Sequence, residues 1–239
     1  MSLPPVEIPL GAMRFNSDSQ KLEYWNGSAW MQIQTFVPTL DGGARGIRAG
    51  GFPQSDRIEF FTISTAGNAI DFGNLTQARA ALSACSSTTR GIFMGGYHPT
   101  QVNIIDFVEI ATLGNAVDFG DLQDGDGDAE RMRVSGASNS TRGLCIGGIS
   151  PNIMNTIDFI TIATTGNSTD FGDLTETKYH TTATADPTRA VVFCGTSDAP
   201  IRNTIEFVTI ATTGNATDFG DATAAKFQAG GSSNGHGGL

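Results

Sequence analysis

One stretch of about fifty residues occurs four times in this chain, and this repetition constrains the fold more than any single motif does. Each copy contains an Arg-Gly step (Arg-Ala in the fourth), an Ile-x-Phe segment and an Asp-Phe-Gly step. The Asp-Phe-Gly steps begin at Asp71, Asp118, Asp170 and Asp218, so successive copies lie 47, 52 and 48 residues apart. Periods of this length are typical of propellers, solenoids and other repeat arrays. The repeats are approximately 45–89, 90–141, 142–188 and 189–239.

The composition favours an all-β protein. Apolar residues make up 39% of 239 positions, which is enough for a modest core, and 30 glycines with abundant Thr, Ser, Ile and Phe favour short strands and tight turns. A net charge of −10 argues against nucleic acid or an anionic membrane surface as the main partner, because both reward clustered Lys and Arg. No apolar stretch approaches the ~20 residues of a spanning helix, and the N-terminus lacks the pattern of a signal peptide, so we expect neither membrane insertion nor an export signal.

Within one repeat the apolar pattern predicts four strands. In the second copy, the run Arg90 to Gly96 is an unbroken apolar segment bounded by glycine, as in a buried inner strand. The run Ile104 to Ile110 has apolar residues on both faces, so its sheet must be covered on both sides. Gly114-Asn115 suits a type II′ hairpin, and a strand rich in Ser, Thr and Ala precedes the next copy. Four strands correspond to one propeller blade.

These residues resemble the kelch repeat, whose blades carry a double glycine after one strand, an aromatic residue in the next and a large aromatic residue after the hairpin. The double glycines are Gly50-Gly51, Gly95-Gly96 and Gly147-Gly148, and Cys194-Gly195 departs from the pattern. The first aromatic positions are Phe60, Phe107, Phe159 and Phe207, while Phe72, Phe119, Phe171 and Phe219 replace the usual tryptophan. The resemblance implies a kelch-like β-propeller of four repeats over residues 41–239.

The first blade needs a fourth strand from outside its own repeat. Two segments could supply it: Met31 to Leu40, just upstream, and Lys226 to Gly231, which would hold the C-terminus on the first blade. Four blades are near the lower limit for propellers, so closure within one chain stays an open question. A homo-oligomer or a larger assembly would also hold both chain ends.

Residues 1–40 form a separate β module in this interpretation. The segment 11–33 reads as three short strands, with turns at Ser17 to Gln20 and at Asn26-Gly27. Such a unit is too small to bury a core alone. Four aromatic side chains therefore need another surface, and we predict them to be docking residues: Phe15, Tyr24, Trp25 and Trp30.

The same segment resembles a short module at the start of many tailed-bacteriophage virion proteins, particularly tail fibre and appendage proteins. The resemblance rests on Arg-Phe-Asn-Ser-Asp from Arg14, Lys-Leu-Glu-Tyr from Lys21 and Asn-Gly-Ser-Ala-Trp from Asn26. Repeats such as Thr-Ile-Asp-Phe-Ile-Thr-Ile from Thr156 also look like those of phage structural proteins. The resemblance implies a structural protein of a virion, assembled in the host cytoplasm, with other virion proteins as partners.

Catalytic and metal-binding patterns have little support in the sequence. His98, His180 and His236 fall at unrelated repeat positions, and no Ser or Cys nucleophile has a supporting motif, so we expect no enzyme activity and no cofactor. Cys85, Cys145 and Cys194 also occupy different repeat positions and are expected to be reduced core thiols. Asp124, Asp126 and Asp128 alternate as in a calcium loop but lack its glycine and distal glutamate, so a solvated loop is favoured over a Ca²⁺ site.

The Asp of each Asp-Phe-Gly step could bind ions or sugars, but local pairing with Arg or a backbone amide is favoured. The loops after the double glycines vary in sequence and length, which is typical of recognition surfaces on a fixed scaffold. The sequence therefore predicts a tail- or fibre-associated component that docks by its N-terminus and presents a propeller surface for host attachment, with a host cell-surface glycan as a candidate partner. The alternatives are a capsid decoration or cement protein and a stand-alone glycan-binding propeller.

Overall fold

A computed structural model of the chain describes residues 8–16, 21–32, 45–123, 130–197 and 200–233. In these ranges the regular secondary structure consists of β-strands, without helices, in small antiparallel sheets. This confirms the prediction of an all-β protein. The contacts divide the chain into two units, Met1–Thr39 and Leu40–Leu239, which are described separately.

The first unit contains one three-stranded antiparallel sheet, in the order β1-β2-β3. Its strands are β1 (Met13–Asn16), β2 (Lys21–Trp25) and β3 (Trp30–Gln32). The loop between β2 and β3 spans four residues, because the side-chain oxygen of Asn26 accepts hydrogen bonds from the amides of Ser28 (2.9 Å) and Ala29 (2.8 Å). Gly27 supplies the positive φ of +99° in that loop. The other predicted turn, Ser17 to Gln20, lies outside the described residues.

The second unit contains four larger sheets that follow one another along the chain. The first has three strands, β4 (Arg45–Ala49), β5 (Ser55–Thr62) and β6 (Ile70–Arg79). The second has β7 (Ser83–Ser86), β8 (Arg90–Met94), β9 (Ile104–Glu109) and β10 (Val117–Asp121). The third has β11 (Ser135–Ser138), β12 (Arg142–Ile146), β15 (Thr156–Thr161) and β16 (Thr169–Asp173), and the short pair β13 (Ile149–Ser150) and β14 (Asn152–Ile153) lies between β12 and β15 in the chain. The fourth has β17 (Thr182–Ala185), β18 (Arg189–Phe193), β19 (Thr204–Thr209) and β20 (Thr217–Asp221).

Each four-stranded sheet takes its first strand from the end of the preceding repeat. Strand β7 belongs to the first repeat in sequence, yet it pairs with β8 of the second repeat, and β11 and β17 do the same in the next two sheets. The first sheet shows only three strands among the described residues. Of the two segments predicted to complete it, Met31 to Leu40 lies mostly outside the described residues, and Lys226 to Gly231 forms no strand.

The apolar cores lie between successive sheets, which explains why the strands are apolar on both faces. Phe60 and Phe72 of the first sheet share a core with Phe93 and Val108 of the second. Two equivalent clusters join the second sheet to the third and the third to the fourth. The second and third sheets therefore each bury one face against the sheet before and the other against the sheet after.

Backbone hydrogen bonds also join the sheets. The amide of Gly114 donates to the carbonyl oxygen of Phe72 (3.0 Å), and the side-chain oxygen of Asn115 accepts from the amide of Asn74 (3.0 Å). The predicted two-residue type II′ hairpin is therefore wrong, since seven residues separate β9 from β10 and Gly-Asn binds the preceding sheet instead. The same bonds recur from Gly166 to Phe119 and from Gly214 to Phe171.

The hydrogen bonds among the described residues join the four sheets in chain order, and none of them joins the first sheet to the fourth. A closed ring is therefore not present in this part of the chain. The structure shows the individual sheets, and their arrangement as a kelch-like propeller stays a prediction.

The double glycines occupy a conformation that other residues rarely adopt. Gly95 has φ +61°, and a Cβ there would lie 2.4 Å from the carbonyl oxygen of Arg131. Gly50 and Gly147 have equivalent surroundings. In the fourth copy Cys194 replaces the first glycine of the pair and adopts the same left-handed conformation, with φ +61°. The backbone is therefore the same in all four copies although the residue differs.

Candidate docking and display surfaces

The sheet of the first unit has an exposed apolar face. Register pairs Phe15 with Leu22, Met13 with Tyr24 and Tyr24 with Met31, so these five side chains share one face. All five are exposed. Since surface apolar residues are normally scattered rather than clustered, a contiguous set on so small a sheet is typical of an interaction surface. We call Met13, Phe15, Leu22, Tyr24 and Met31 the docking face.

The opposite face of this sheet is tied together by charge and aromatic contacts. The guanidinium of Arg14 lies 4.3 Å from the ring centroid of Trp30 and 2.8 Å from the carboxylate of Glu23, and the rings of Trp25 and Trp30 are 5.6 Å apart. Asn16 also donates to Glu23 (3.0 Å). The hydrogen bonds from Asn16 and Arg14 hold the pKa of Glu23 below its ordinary value, so this carboxylate is charged at neutral pH.

The four predicted docking residues therefore divide between two faces. Phe15 and Tyr24 lie on the docking face, while Trp25 and Trp30 are partly buried on the other. Met13, Leu22 and Met31 join the docking face and were missing from the prediction. The alternation of strand side chains is the signal for this division, because the adjacent residues Tyr24 and Trp25 must point to opposite faces.

Buried ion pairs hold neighbouring sheets of the second unit together. Arg79 ends the first sheet, and its guanidinium lies 2.8 Å from the carboxylate of Asp106 in the second, with neither side chain exposed. Arg131 pairs with Asp158, and Lys178 pairs with Glu206, at the next two boundaries. These acids were missed in the sequence. The sequence does contain a signal for them, because every copy has a carboxylate at the centre of its apolar Ile-x-Phe segment. A charge inside such a buried strand is tolerated only when it is paired.

A second set of contacts repeats within each sheet. The rings of Phe60 and Phe72 meet edge to face with centroids 6.0 Å apart, and the guanidinium of Arg45 lies 4.9 Å from the Phe60 centroid. The other three sheets repeat this arrangement, with ring separations of 5.9, 6.1 and 5.9 Å. Phe72, Phe119, Phe171 and Phe219 thus form aromatic pairs with the Phe residues of the neighbouring strand.

The loops after the double glycines lie along one edge of the sheets, beside the residues that precede each small-residue strand. There Ala80 exchanges backbone hydrogen bonds with Tyr97, and Tyr179 does so with Thr196. Phe52, Tyr97 and Arg133 help to line an open groove of about 420 Å³ on this edge, together with Ala80, Ala81 and Met132. We call this groove the loop-edge groove. Phe52 is exposed in this groove, whereas Tyr97 and Arg133 are partly buried. An open site with an aromatic ring and a guanidinium suits a sugar or a peptide better than a buried apolar ligand.

A backbone track runs along the same edge. Ala81, Arg133, His180 and Gln228 have left-handed φ values of 54°, 59°, 53° and 55°. Arg133 donates its amide to Ala81, His180 to Arg133, and Gln228 to His180. Partial burial and the neighbouring charge of Arg133 lower the pKa of His180, so its ring is neutral at pH 7. This track fixes the spacing of the loops from one sheet to the next.

The remaining candidate residues are scattered. Asp170 and Asp218 are exposed and accept bonds from the amides of Gly172 (3.1 Å) and Gly220 (3.2 Å), which is the local pairing expected for the Asp-Phe-Gly steps. The calcium candidates Asp124, Asp126 and Asp128, and also His236, lie outside the described residues. In the ranges that the structure covers, no three His, Cys, Asp or Glu side chains cluster as metal ligands would.

No protein-family model matches the chain, and no curated protein is similar to it in sequence. In the described part of the chain there is also no helix with the length and hydropathy needed to cross a bilayer.

Proposed function

We propose that this chain is a non-enzymatic structural protein of a tailed-phage particle, associated with the tail or its fibres. In this proposal the first unit attaches the chain to another virion protein, and the row of sheets presents the loop edge for host attachment. The single observation that carries the proposal is the docking face, because it leaves five apolar side chains of a small sheet in solvent. The resemblance of the same segment to the start of phage tail fibre proteins supports it.

The attachment mechanism is hydrophobic burial against a flat partner surface. Phe15 and Met13 are each more than half exposed, and burying such side chains stabilises an interface by about 25 cal/mol per Å² of apolar area. Arg14, Glu23 and Trp30 on the opposite face hold the strands in register, so that the docking face is presented preformed. A preformed surface loses little conformational entropy on binding.

The second unit supports display because its sheets are joined by buried ion pairs, apolar cores and repeated backbone bonds. Such joints keep the loops at fixed spacing. In the finer form of the proposal, the sheets are blades of a kelch-like propeller, and the loop-edge groove with Phe52, Tyr97 and Arg133 contacts a host cell-surface glycan. Sugars commonly stack on exposed aromatic rings and accept hydrogen bonds from arginine.

The test compares two exposed phenylalanines in the whole chain during phage assembly. Phe15→Ser removes an aromatic ring from the docking face, and Phe52→Ser removes one from the loop-edge groove. We expect Phe15→Ser to lower the amount of the chain in purified particles at least about tenfold, whereas Phe52→Ser leaves incorporation unchanged and weakens adsorption to host cells.

The two substitutions are matched, since each replaces an exposed Phe with Ser and neither side chain belongs to the cores between the sheets. Normal incorporation of the Phe15→Ser chain contradicts the docking role. Unchanged adsorption with Phe52→Ser particles contradicts the display role and favours the capsid decoration alternative.

A further inference from the structure

The two ends of the row of sheets expose residues that are buried at every internal boundary. Phe219 in the fourth sheet is 56% exposed, whereas its equivalents Phe72, Phe119 and Phe171 are 2–3% exposed. The difference arises because a following sheet covers the first three copies, and the described residues contain no sheet after the fourth. A Cβ at Gly220 would meet nothing within 4 Å, whereas one at Gly73, Gly120 or Gly172 would collide with the next Gly-Asn turn.

In the first sheet, the exposed face is the one that packs against a preceding sheet in the other three copies. Ile63 is 67% exposed, whereas its equivalents Ile110, Ile162 and Ile210 are at most 9% exposed. Phe61 is also exposed, although Val108, Ile160 and Val208 at the same position are buried. The outward face of the first sheet thus has the character of a surface that elsewhere in this chain is packed against a preceding sheet.

The hydrogen-bonding groups of the two end faces are complementary. At each internal boundary a Gly-Asn turn donates one amide to the Phe carbonyl of the preceding sheet and accepts from an amide two residues further on. Gly67-Asn68 is the turn of the first sheet, and Phe219 and Asp221 carry the matching groups of the fourth. Among the described residues no hydrogen bond satisfies the Gly67 amide, the Asn68 side chain or the Asp221 amide across such a boundary.

The charges are complementary as well. Arg79, Arg131 and Lys178 each form a buried ion pair with the acid of the following sheet, and Lys226 is the exposed fourth member of this series. The acid of the first sheet is Glu59, whose partners are the exposed Arg48 (3.3 Å) and Arg57 (3.8 Å). Lys226 and Glu59 are therefore the base and the acid of a boundary that the described residues do not form within one chain.

The segment 226–233 forms no strand, but its place in the repeat is that of the strand which the first sheet lacks. It packs on the fourth sheet as β11 and β17 pack on their predecessors, since Gln228 donates to His180 (3.2 Å), Thr182 donates to Ala229 (2.7 Å), and Ser233 donates to Ala185 (2.6 Å). By the repeat spacing, residues 230–233 correspond to β7, which pairs with β8, and β8 corresponds to β4. Beside β4 of the first sheet this position is open among the described residues.

We propose that the fourth sheet of one copy binds the first sheet of a second copy head to tail. The contact reproduces the internal boundaries: Phe219 covers the neighbour's Ile63 side, Lys226 pairs with the neighbour's Glu59, and residues 230–233 complete the neighbour's first sheet. A head-to-tail contact of this kind gives a ring if the rotation closes and a filament if it does not. Arg48 stands where the internal boundaries have Phe93, Cys145 and Val192, so the contact between copies is more polar than those within the chain.

The test uses the full chain and a charge exchange. We expect light scattering after size exclusion to give multiples of the 25.0 kDa chain mass at roughly 100 µM, a concentration that populates even micromolar contacts. Lys226→Glu and Glu59→Lys each place like charges across the boundary and should weaken association at least about tenfold. Mixing the two variants should restore association, because the carboxylate introduced in one variant then meets the ammonium introduced in the other.

The mixing experiment also distinguishes a contact between copies from closure within one chain. Closure within a chain predicts a single-chain mass for the wild type and no effect of mixing, and this result overturns the proposal. Gly220→Ala provides a second variant, because its Cβ lies in open space in the single chain and would collide with the neighbour's turn only in the assembly. Association unaffected by Gly220→Ala would likewise overturn the proposal, which does not depend on the chain being part of a virion.

Discussion

The guanidinium of Arg79 lies 2.8 Å from the carboxylate of Asp106, and both side chains are fully buried between two sheets. The carboxylate also accepts hydrogen bonds from the amide and the hydroxyl of Thr76 (3.2 and 2.7 Å). The pair thus connects the end of β6 to the middle of β9. Because a buried charge without its partner is strongly unfavourable, this contact fixes how one sheet sits on the next.

Asp106→Ala should lower the free energy of unfolding by about 3–5 kcal/mol, because it leaves the Arg79 guanidinium buried without a counter-charge. Urea denaturation followed by circular dichroism measures this change. Asp118→Ala is the control, since Asp118 is an exposed carboxylate in the same sheet, and its removal should change stability by no more than about 0.5 kcal/mol. Equal effects of the two substitutions would contradict the assigned role of the ion pair.

Gly120→Ala and Gly220→Ala form a matched pair at the same repeat position. Both glycines have positive φ, 144° and 133°, so the backbone strain of alanine is similar at the two sites. Only at Gly120 would the new Cβ lie 2.5 Å from the backbone of Gly166 in the next sheet. We expect Gly120→Ala to be more destabilising by about 1–3 kcal/mol in thermal unfolding at concentrations where the chain is monomeric. A larger loss for Gly220→Ala would show that the fourth sheet is not an open end.

Arg14→Ala should loosen the first unit without unfolding the second. The substitution removes the cation–π contact with Trp30, which contributes about 0.5–1 kcal/mol, and the ion pair with Glu23. Both tryptophans of the chain, Trp25 and Trp30, lie in this unit, so tryptophan emission reports on it alone. We expect emission to shift to longer wavelength while the β-sheet signal in circular dichroism persists. Simultaneous loss of both signals would contradict the independence of the two units.

The thiol of Cys85 should react slowly in the folded protein. A Cβ added at Gly143 of the third sheet would lie only 2.6 Å from the Sγ atom of Cys85. The thiol is therefore packed between the second and third sheets, even though the residue is partly exposed. Burial, with a smaller contribution from Cys145, raises the pKa of Cys85 to about 12. Since the thiolate is the reactive form, a disulfide reagent at pH 8 should label Cys85 only after denaturant is added. Labelling of native Cys85 as fast as that of the unfolded chain would contradict this placement.

The raised pKa of Cys85 makes the stability of the protein depend on pH, because the folded state holds the thiol proton more tightly than the unfolded state. The contribution of the protonated thiol to the free energy of unfolding is full below pH 9 and is lost as the pH rises towards 12. The free energy of unfolding should therefore fall less steeply above pH 9 in Cys85→Ala than in the wild type. Identical slopes would contradict the raised pKa.

Much of the second unit could be predicted from its sequence because the repeat restates the same local pattern four times. Apolar residues on both faces of the strand from Ile104 predicted that its sheet is covered on both sides, as it is. The double glycines are explained by the left-handed backbone that Gly95 adopts. The ion pair of Arg79 with Asp106 could not be found in this way. The two residues are 27 positions apart and meet only when one sheet lies on the next.

The docking face was predicted in part. Aromatic residues in a sheet too small to bury them indicate an interaction surface, and this reasoning named Phe15 and Tyr24, which lie on the exposed apolar face. Their docking role stays a prediction. Trp25 belongs to the other face because it follows Tyr24 directly in the same strand, and Met13 and Met31 join the docking face through cross-strand register. The four-residue loop at Asn26 was not predicted, since the Asn side chain, and not only the Asn-Gly dipeptide, determines its hydrogen bonds.

The most direct test of the proposed function is cryo-electron microscopy of the phage particle whose genome encodes this chain. The account predicts density for the four successive sheets at the tail or its fibres, with the docking face of Met13, Phe15, Leu22, Tyr24 and Met31 against a neighbouring virion protein. Density over the capsid lattice would contradict the tail assignment and support a decoration protein. Absence of the chain from purified particles would contradict the virion role altogether.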